Sequence, residues 1–139
     1  MDIRVSFPGG KRVDAQLRQH AIHTDQPVEL GGQDAEAAPF DLFLASLATC
    51  AGIYVLGFCQ ARGIPTEGVA LVQHNDFDER HHLTRVELEL TLPATFPEKY
   101  RAAVVNAAAN CKVKKLLAAP PEIVVTSNVT PSVEVVATA

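Results

Sequence analysis

The sequence has no tryptophan, one methionine and two tyrosines among 139 residues, and aromatic residues make up 6% of it. Cationic surface is scarce too: 12 Lys plus Arg stand against 16 Asp plus Glu, for a formal charge of −4. A phosphate-tracking chain needs both features, so no nucleic-acid partner is expected. The start, Met1-Asp2-Ile3-Arg4-Val5-Ser6, has neither the basic segment nor the apolar core of an export signal, and the cytoplasm is the expected location. No C-x-x-C and no Cys/His pair at zinc spacing accompanies Cys50, Cys59 and Cys111. Three scattered cysteines in a chain of this length imply neither a disulfide framework nor a metal site, and reactive thiols become the better hypothesis. Gly31-Gly32 lacks the third glycine and the strand-to-helix context of a phosphate loop, and no Gly-x-Ser-x-Gly elbow occurs, which removes dinucleotide binding and serine hydrolysis.

What is present is an ordinary globular composition, 47% apolar and 20% charged, without repeats or low-complexity tracts. At this length roughly 68% of the unfolded surface can be buried, and a single domain over residues 1–139 is expected. Ile3, Val5 and Phe7 alternate, as do Val13, Ala15 and Leu17, with Pro8-Gly9-Gly10-Lys11 between them. That pattern predicts a hairpin, followed by a short strand near His20 to Thr24 and a loop over Asp25 to Asp34.

Leu42 to Ala61 is a run of twenty uncharged residues, long enough to cross a bilayer as a helix. Ser46, Thr49, Gly52, Gly57 and Gln60 inside the run, and amphipathic strands on both sides, favour a core helix instead and no membrane partner. The helix is expected to begin after Pro39, to carry Asp41 in its first turn and to stop at Gly63. Being apolar on every face, it is expected to be buried all round, with a dimer sharing its cover. Val69 to His74 and the alternating Arg85 to Leu92 predict two strands joined by the charged stretch Asn75 to His82. His74, His81 and His82 read as solvated residues of this hairpin, since neighbours on a strand project to opposite faces. Thr95-Phe96-Pro97-Glu98 has capping-box spacing and predicts a second helix running through Tyr100, Val104 and Ala108 to Cys111. A terminal strand, broken by Pro131, is expected from Ile123 to Val136. The order of elements describes an α+β domain with antiparallel pairing.

Among the cysteines, Cys59 follows Cys50 by nine residues, which at about 100° per residue puts the two on opposite sides of one helix. They cannot readily pair, and Cys59 is the candidate structural cysteine. Cys50 lies among small residues, Ala45-Ser46-Leu47-Ala48-Thr49-Cys50-Ala51-Gly52; it reads either as a small core hydrophobe or as a thiol with room beside it for a substrate. Lys112, Lys114 and Lys115 after Cys111 read equally as cations favouring a thiolate and as partners of a helix C-terminus.

Three segments together resemble a known family: Pro27-x-Glu29-Leu30-Gly31-Gly32, then Pro39-Phe40-Asp41-Leu42-Phe43-Leu44-Ala45-Ser46-Leu47-Ala48-Thr49-Cys50, and later Asn110-Cys111-Lys112-Val113. They are similar to the OsmC/Ohr family of osmotically inducible and organic-hydroperoxide-resistance proteins. The resemblance spans nearly the whole chain in element order. It implies an intertwined homodimer, two long helices packed between antiparallel sheets, and an active site at the subunit interface. In the family's peroxidases one cysteine attacks the hydroperoxide and a second resolves the sulfenic acid, roles that fall by position on Cys50 and Cys111. The disulfide is reduced by a dithiol, in the Ohr branch that of a lipoylated protein, and no cofactor or metal is implied.

Family peroxidases also place an Arg and a Glu beside the reactive cysteine. The Glu position directly after Pro39 holds Phe40 here, with Asp41 the neighbouring acid, as in the less characterised OsmC-like branch. The family's Arg lies near the first hairpin turn, where Lys11, Arg12 and, further on, Arg18 are available; Arg12 is the assignment. The expected function is thus a thiol-dependent peroxidase that reduces organic hydroperoxides, and hydrogen peroxide less well, in oxidative-stress defence. The alternative is a non-catalytic protein that binds a small apolar ligand in the interface pocket, motivated by Phe40.

Overall fold

The computed structural model describes residues 1–129. Strands β1 (Ile3–Gly9), β2 (Arg12–Leu17) and β3 (His20–Ile22) form an antiparallel three-stranded sheet in sequence order. A loop containing one 3-10 turn, Val28–Leu30, leads to the long helix α1 (Pro39–Gln60). The hairpin of β4 (Ala70–Phe77) and β5 (Leu83–Thr91) follows, then α2 (Glu98–Ala109) and the short α3 (Lys112–Ala118).

Each element has a local cause. Ile3 pairs with Leu17 and Val5 with Ala15, so the apolar residues of β1 and β2 share one face. The register slips between Ser6 and Gly9, where Pro8 has no N–H to give to the ladder. Gly10, at φ +62°, takes the first central position of the turn, a left-handed conformation that glycine adopts without steric cost. Pro39 opens α1 as its first residue and Asp41 reaches back, its Oδ2 accepting from the Ala38 N–H at 3.3 Å, which satisfies a donor that no helical carbonyl can reach.

The core is built from one strip of α1 (Ala51, Val55, Cys59), from Val104 and Ala108 of α2, and from Phe96 and Cys111, with Leu71, Leu88 and Leu90 of the hairpin packed against it. No residue of β1, β2 or β3 belongs to that cluster. Although α1 has the length and apolarity of a membrane span, this strip packs it as the central helix of the fold.

Five sequence expectations are revised. First, α1 is buried along one strip only; Phe40, Phe43, Ile53, Tyr54 and Leu56 are exposed, because one hairpin and two short helices cover a single side of a 22-residue helix. Second, Thr95 does not cap α2. The helix begins at Glu98, behind Pro97, since a residue before proline is driven out of the helical region; Phe96 instead turns into the core, its N–H donating to the Pro93 carbonyl at 2.9 Å. Third, α2 stops at Ala109, before Cys111. The Asn110 side chain donates to the Asn106 carbonyl at 2.8 Å, an exchange by which asparagine competes with helical pairing. Cys111 becomes the residue that starts α3, so Lys112 and Lys114 lie at the beginning of a new helix and not at the C-terminus of α2.

Fourth, β4 runs on through Asn75, Asp76 and Phe77, and the turn narrows to the residues from Asp78 to His82. Fifth, Ile123 to Val125 lie outside any strand, and the remainder of the expected terminal strand, with Pro131, reaches past the described residues.

Candidate functional site

All three cysteines are free thiols. Cys59 is fully buried, and burial pushes its thiol above the usual range, with Arg62 acting in the opposite direction. That suits the structural role. Cys50, nine residues before Cys59 on α1, is half-buried and packs against the core cluster to which Cys59 and Cys111 belong. Cys111 is 1% exposed and sits where α2 ends and α3 begins. The two thiols assigned to chemistry thus adjoin the same core cluster, Cys111 as a member and Cys50 at its edge.

Cys111 also lines a cavity of about 430 Å³. Leu47 of α1, Leu71, Leu88 and Leu90 of the hairpin, and Val105 of α2 form apolar walls, and Lys114 supplies a single cation among the lining residues. The volume falls in the range of small-molecule sites, roughly 300–1,000 Å³. The hairpin's inner face places Leu71 opposite Leu90 and Gln73 opposite Leu88. Gln73 donates through Nε2 to the Leu44 carbonyl at 3.0 Å and to Asn75 Oδ1 at 2.8 Å, tying the hairpin to the first half of α1.

The other two assigned residues lie apart from the thiols. Asp41 caps α1 and precedes Cys50 by nine residues, which puts it on the opposite side of the helix and about 13 Å away along its axis. Arg12, on β2, has its Nη2 at 3.8 Å from Asp14 Oδ2 and faces the loop that begins at Asp25. Within one chain its guanidinium lies beside the N-terminal sheet, in a long ion pair with Asp14.

Sequence reasoning missed Asp25. The residue is 1% exposed. Its Oδ1 accepts from the Gln26 N–H at 2.8 Å, and its Oδ2 from the N–H groups of Gln33 at 3.0 Å and Ala35 at 3.3 Å. These bonds, the Gln26 one foremost, hold its carboxyl below the usual range despite burial, and the positive charge of Arg12 adds to the effect. Thr24 fixes the loop to β2: its hydroxyl donates to the Val13 carbonyl at 2.5 Å, and its carbonyl accepts the Val13 N–H at 3.2 Å. A Cβ on Gly32 would lie 1.8 Å from the Gln26 carbonyl oxygen, so only glycine fits this crossing. The available signal was an aspartate opening a segment rich in Gly and Pro, the position from which an Asx side chain bonds nearby N–H groups.

Two of the three histidines of the hairpin region face carboxylates. His74 Nε2 lies 3.4 Å from Glu89 and His82 Nδ1 lies 3.1 Å from Asp78. Among the described residues no three His, Cys, Asp or Glu side chains gather as a metal site.

An α+β chain with two antiparallel sheets, the β4–β5 hairpin packed with α1 and α2, and thiols at that core is the fold class these observations define. The model of the OsmC family, OsmC-like protein, matches residues 31–126, and the chain belongs to that family. Solved structures share the fold. One, from Psychrobacter arcticus and named for osmotic stress induction and a detoxification response, is 23% identical with a TM-score of 0.69, over 81% of this chain and 85% of that one. An OsmC like protein from Mycoplasma pneumoniae is 14% identical with a TM-score of 0.65, over 86% and 87%. An organic hydroperoxide resistance protein OsmC from Legionella pneumophila is 17% identical with a TM-score of 0.53, over 84% and 87%. No curated protein sequence matches the chain significantly.

Proposed function

We propose that this protein is a cytoplasmic, thiol-dependent peroxidase that reduces organic hydroperoxides, and hydrogen peroxide less well, through Cys50 and Cys111 in defence against oxidative stress. The observation that carries the reading is the packing of half-buried Cys50 against the cluster containing Cys111, beside an apolar cavity that Cys111 lines. The name of the Legionella pneumophila structure, an organic hydroperoxide resistance protein, supports it by analogy of fold.

In the proposed cycle the Cys50 thiolate attacks the terminal oxygen of the hydroperoxide. The O–O bond breaks, the alcohol departs with a proton, and Cys50 becomes a sulfenic acid. The Cys111 thiol displaces water from that sulfenic acid to give a Cys50–Cys111 disulfide. An external dithiol, such as that of a lipoylated protein, then returns both thiols by exchange and leaves as its own disulfide. Because Cys111 occupies the break between α2 and α3, it can approach Cys50 by a shift of the short α3 without unwinding a continuous helix.

The cation and acid of the site come, in this reading, from a second copy. Arg12 and Asp41 lie apart from Cys50 within one chain, while Phe43, Ile53 and Tyr54 of α1 and Ile3, Val5 and Phe7 of β1 are exposed. A homodimer that covers these surfaces and carries Arg12 or Asp41 to the partner's Cys50 completes the site. Neither nucleic acid nor membrane has a part in it.

The deciding measurement is consumption of cumene hydroperoxide and of hydrogen peroxide with a dithiol reductant. Wild type and Cys59→Ser are expected to turn over, Cys50→Ser to lose turnover entirely, and Cys111→Ser to accumulate oxidised or mixed-disulfide Cys50. Wild-type consumption no faster than Cys50→Ser with either peroxide sinks the peroxidase reading. The apolar walls of the 430 Å³ cavity favour a second reading in that event, a binding protein for a small apolar ligand, tested by ligand-induced rise in melting temperature.

A further inference from the structure

The cleft between the β1–β2 turn and the Gly31–Gly32 loop is the second chemically distinctive concavity of the chain. It encloses about 250 Å³, below the usual range of drug-sized sites, and therefore suits a small ion or the end group of a larger molecule. Lys11 and Arg12 stand on one wall, and Gly31, Gly32 and Gln33 on the other. Asp25 at its base is the only acid among the lining residues.

That acid offsets one of the two cations and is coupled to Arg12, which leaves the lining one positive charge in excess. Both Asp25 oxygens are occupied by backbone N–H groups, those of Gln26, Gln33 and Ala35, and the side chain is 1% exposed. Asp14, the other acid near Arg12, has its nearer partner in His23, at 2.8 Å against 3.8 Å for the guanidinium. Arg12 therefore keeps donors free, and Lys11 adds a second charge. The glycines matter for access: a Cβ on Gly31 would meet the Lys11 Cε at 3.4 Å, so the lysine stem lies along bare backbone. A positive cleft in a chain of net charge −4 is a local arrangement and not a consequence of overall composition.

We propose that this cleft is a binding site for a small oxyanion, a carboxylate or a phosphate, held by the forked guanidinium of Arg12 and the ammonium of Lys11. A guanidinium matches the paired oxygens of either group, and an ammonium serves as a point charge beside it. The site goes beyond the thiol chemistry and its test does not depend on it, although Arg12 belongs to both readings.

The test is an amide NMR titration of the full chain with inorganic phosphate and, separately, with acetate, at constant ionic strength. Saturable shifts confined to Gly9, Gly10, Lys11, Gly31 and Gly32 are expected. Lys11→Gln and Arg12→Gln should each weaken binding about tenfold, the loss of one charge-assisted hydrogen bond, while Lys99→Gln on α2 leaves it unchanged. Both cations are exposed, and a dispersed spectrum of each variant shows that it folds. Saturation by phosphate alone assigns the site to phosphate, and saturation by acetate as well assigns it to carboxylate-type groups. Shifts that stay linear with both anions, or affinities that are the same in wild type and Arg12→Gln, overturn the proposal.

Discussion

The two halves of the chain are held together by different physics. From α1 onward, stability comes from side-chain packing: Val104, Cys59 and Cys111 are essentially inaccessible to water and Phe96 turns inward to meet them. Before α1, the apolar residues of β1 lie open, with Phe7 80% exposed, and the buried side chains are polar, Thr24 and Asp25. That half is organised by ladder hydrogen bonds and by a carboxylate that gathers a loop around itself. A packed core tolerates little loss of volume, whereas a hydrogen-bonded knot tolerates little loss of a single acceptor or a single close approach.

The contrast can be broken from either side. The largest effect on stability is expected for Phe96→Ala, about 3–5 kcal/mol by chemical denaturation, because it opens a cavity at the meeting of hairpin and helices. A cost near that of a surface change would show the core to be looser than its burial implies. Gly32→Ala should follow at about 1–3 kcal/mol, since the added methyl must displace the Gln26 carbonyl; if the N-terminal sheet unfolds separately from the core, this variant will reveal it as an early, partial transition.

Titration sharpens the same comparison. Asp25 is held below its ordinary value when folded, so its contribution is present above the unfolded carboxylate value near 3.9 and is lost as pH falls through the folded value. Asp78, lowered mainly by the His82 N–H, behaves in the same sense. Asp25→Asn should flatten the acid limb of a stability profile measured by urea midpoint. Cys59 titrates in the opposite sense: its raised value means that stability is full below the unfolded thiol value near 8.5 and declines as pH rises beyond it. Cys59→Ala should remove that alkaline decline while introducing a cavity cost at all pH values. The smallest effect is expected for Val5→Ser, within about 0.5 kcal/mol in the monomer; a larger, concentration-dependent loss by denaturation at several protein concentrations would reveal a second copy lying on the sheet.

Much of the fold was legible because it depends on short-range rules. Pro39 and Asp41 announced the start of α1, the alternation in β5 its wet and dry faces, and Pro8-Gly9-Gly10-Lys11 the first turn. The end of α2 was misplaced because Asn110 carries a weak stop signal whose effect depends on whether its side chain takes the Asn106 carbonyl. Thr95 looked like a cap until Phe96 found a place in the core and Pro97 barred a helical residue before it. Of the candidate site, Cys50 and Cys111 could be selected by type and motif. Asp25 was overlooked because an isolated aspartate in a loop looks the same whether it faces water or three N–H groups.

The amino-acid order by itself determined the strands of the two sheets, the long apolar helix and the family to which the chain belongs, since these follow from periodicity, turn chemistry and motif. Only the tertiary structure decided which strip of α1 is buried, that Cys111 joins the core at a break between helices beside a cavity, and that Asp25 anchors the loop facing Arg12. Those outcomes depend on contacts between residues far apart in sequence, where packing density and the need to satisfy buried polar groups choose among arrangements that local preference leaves equal.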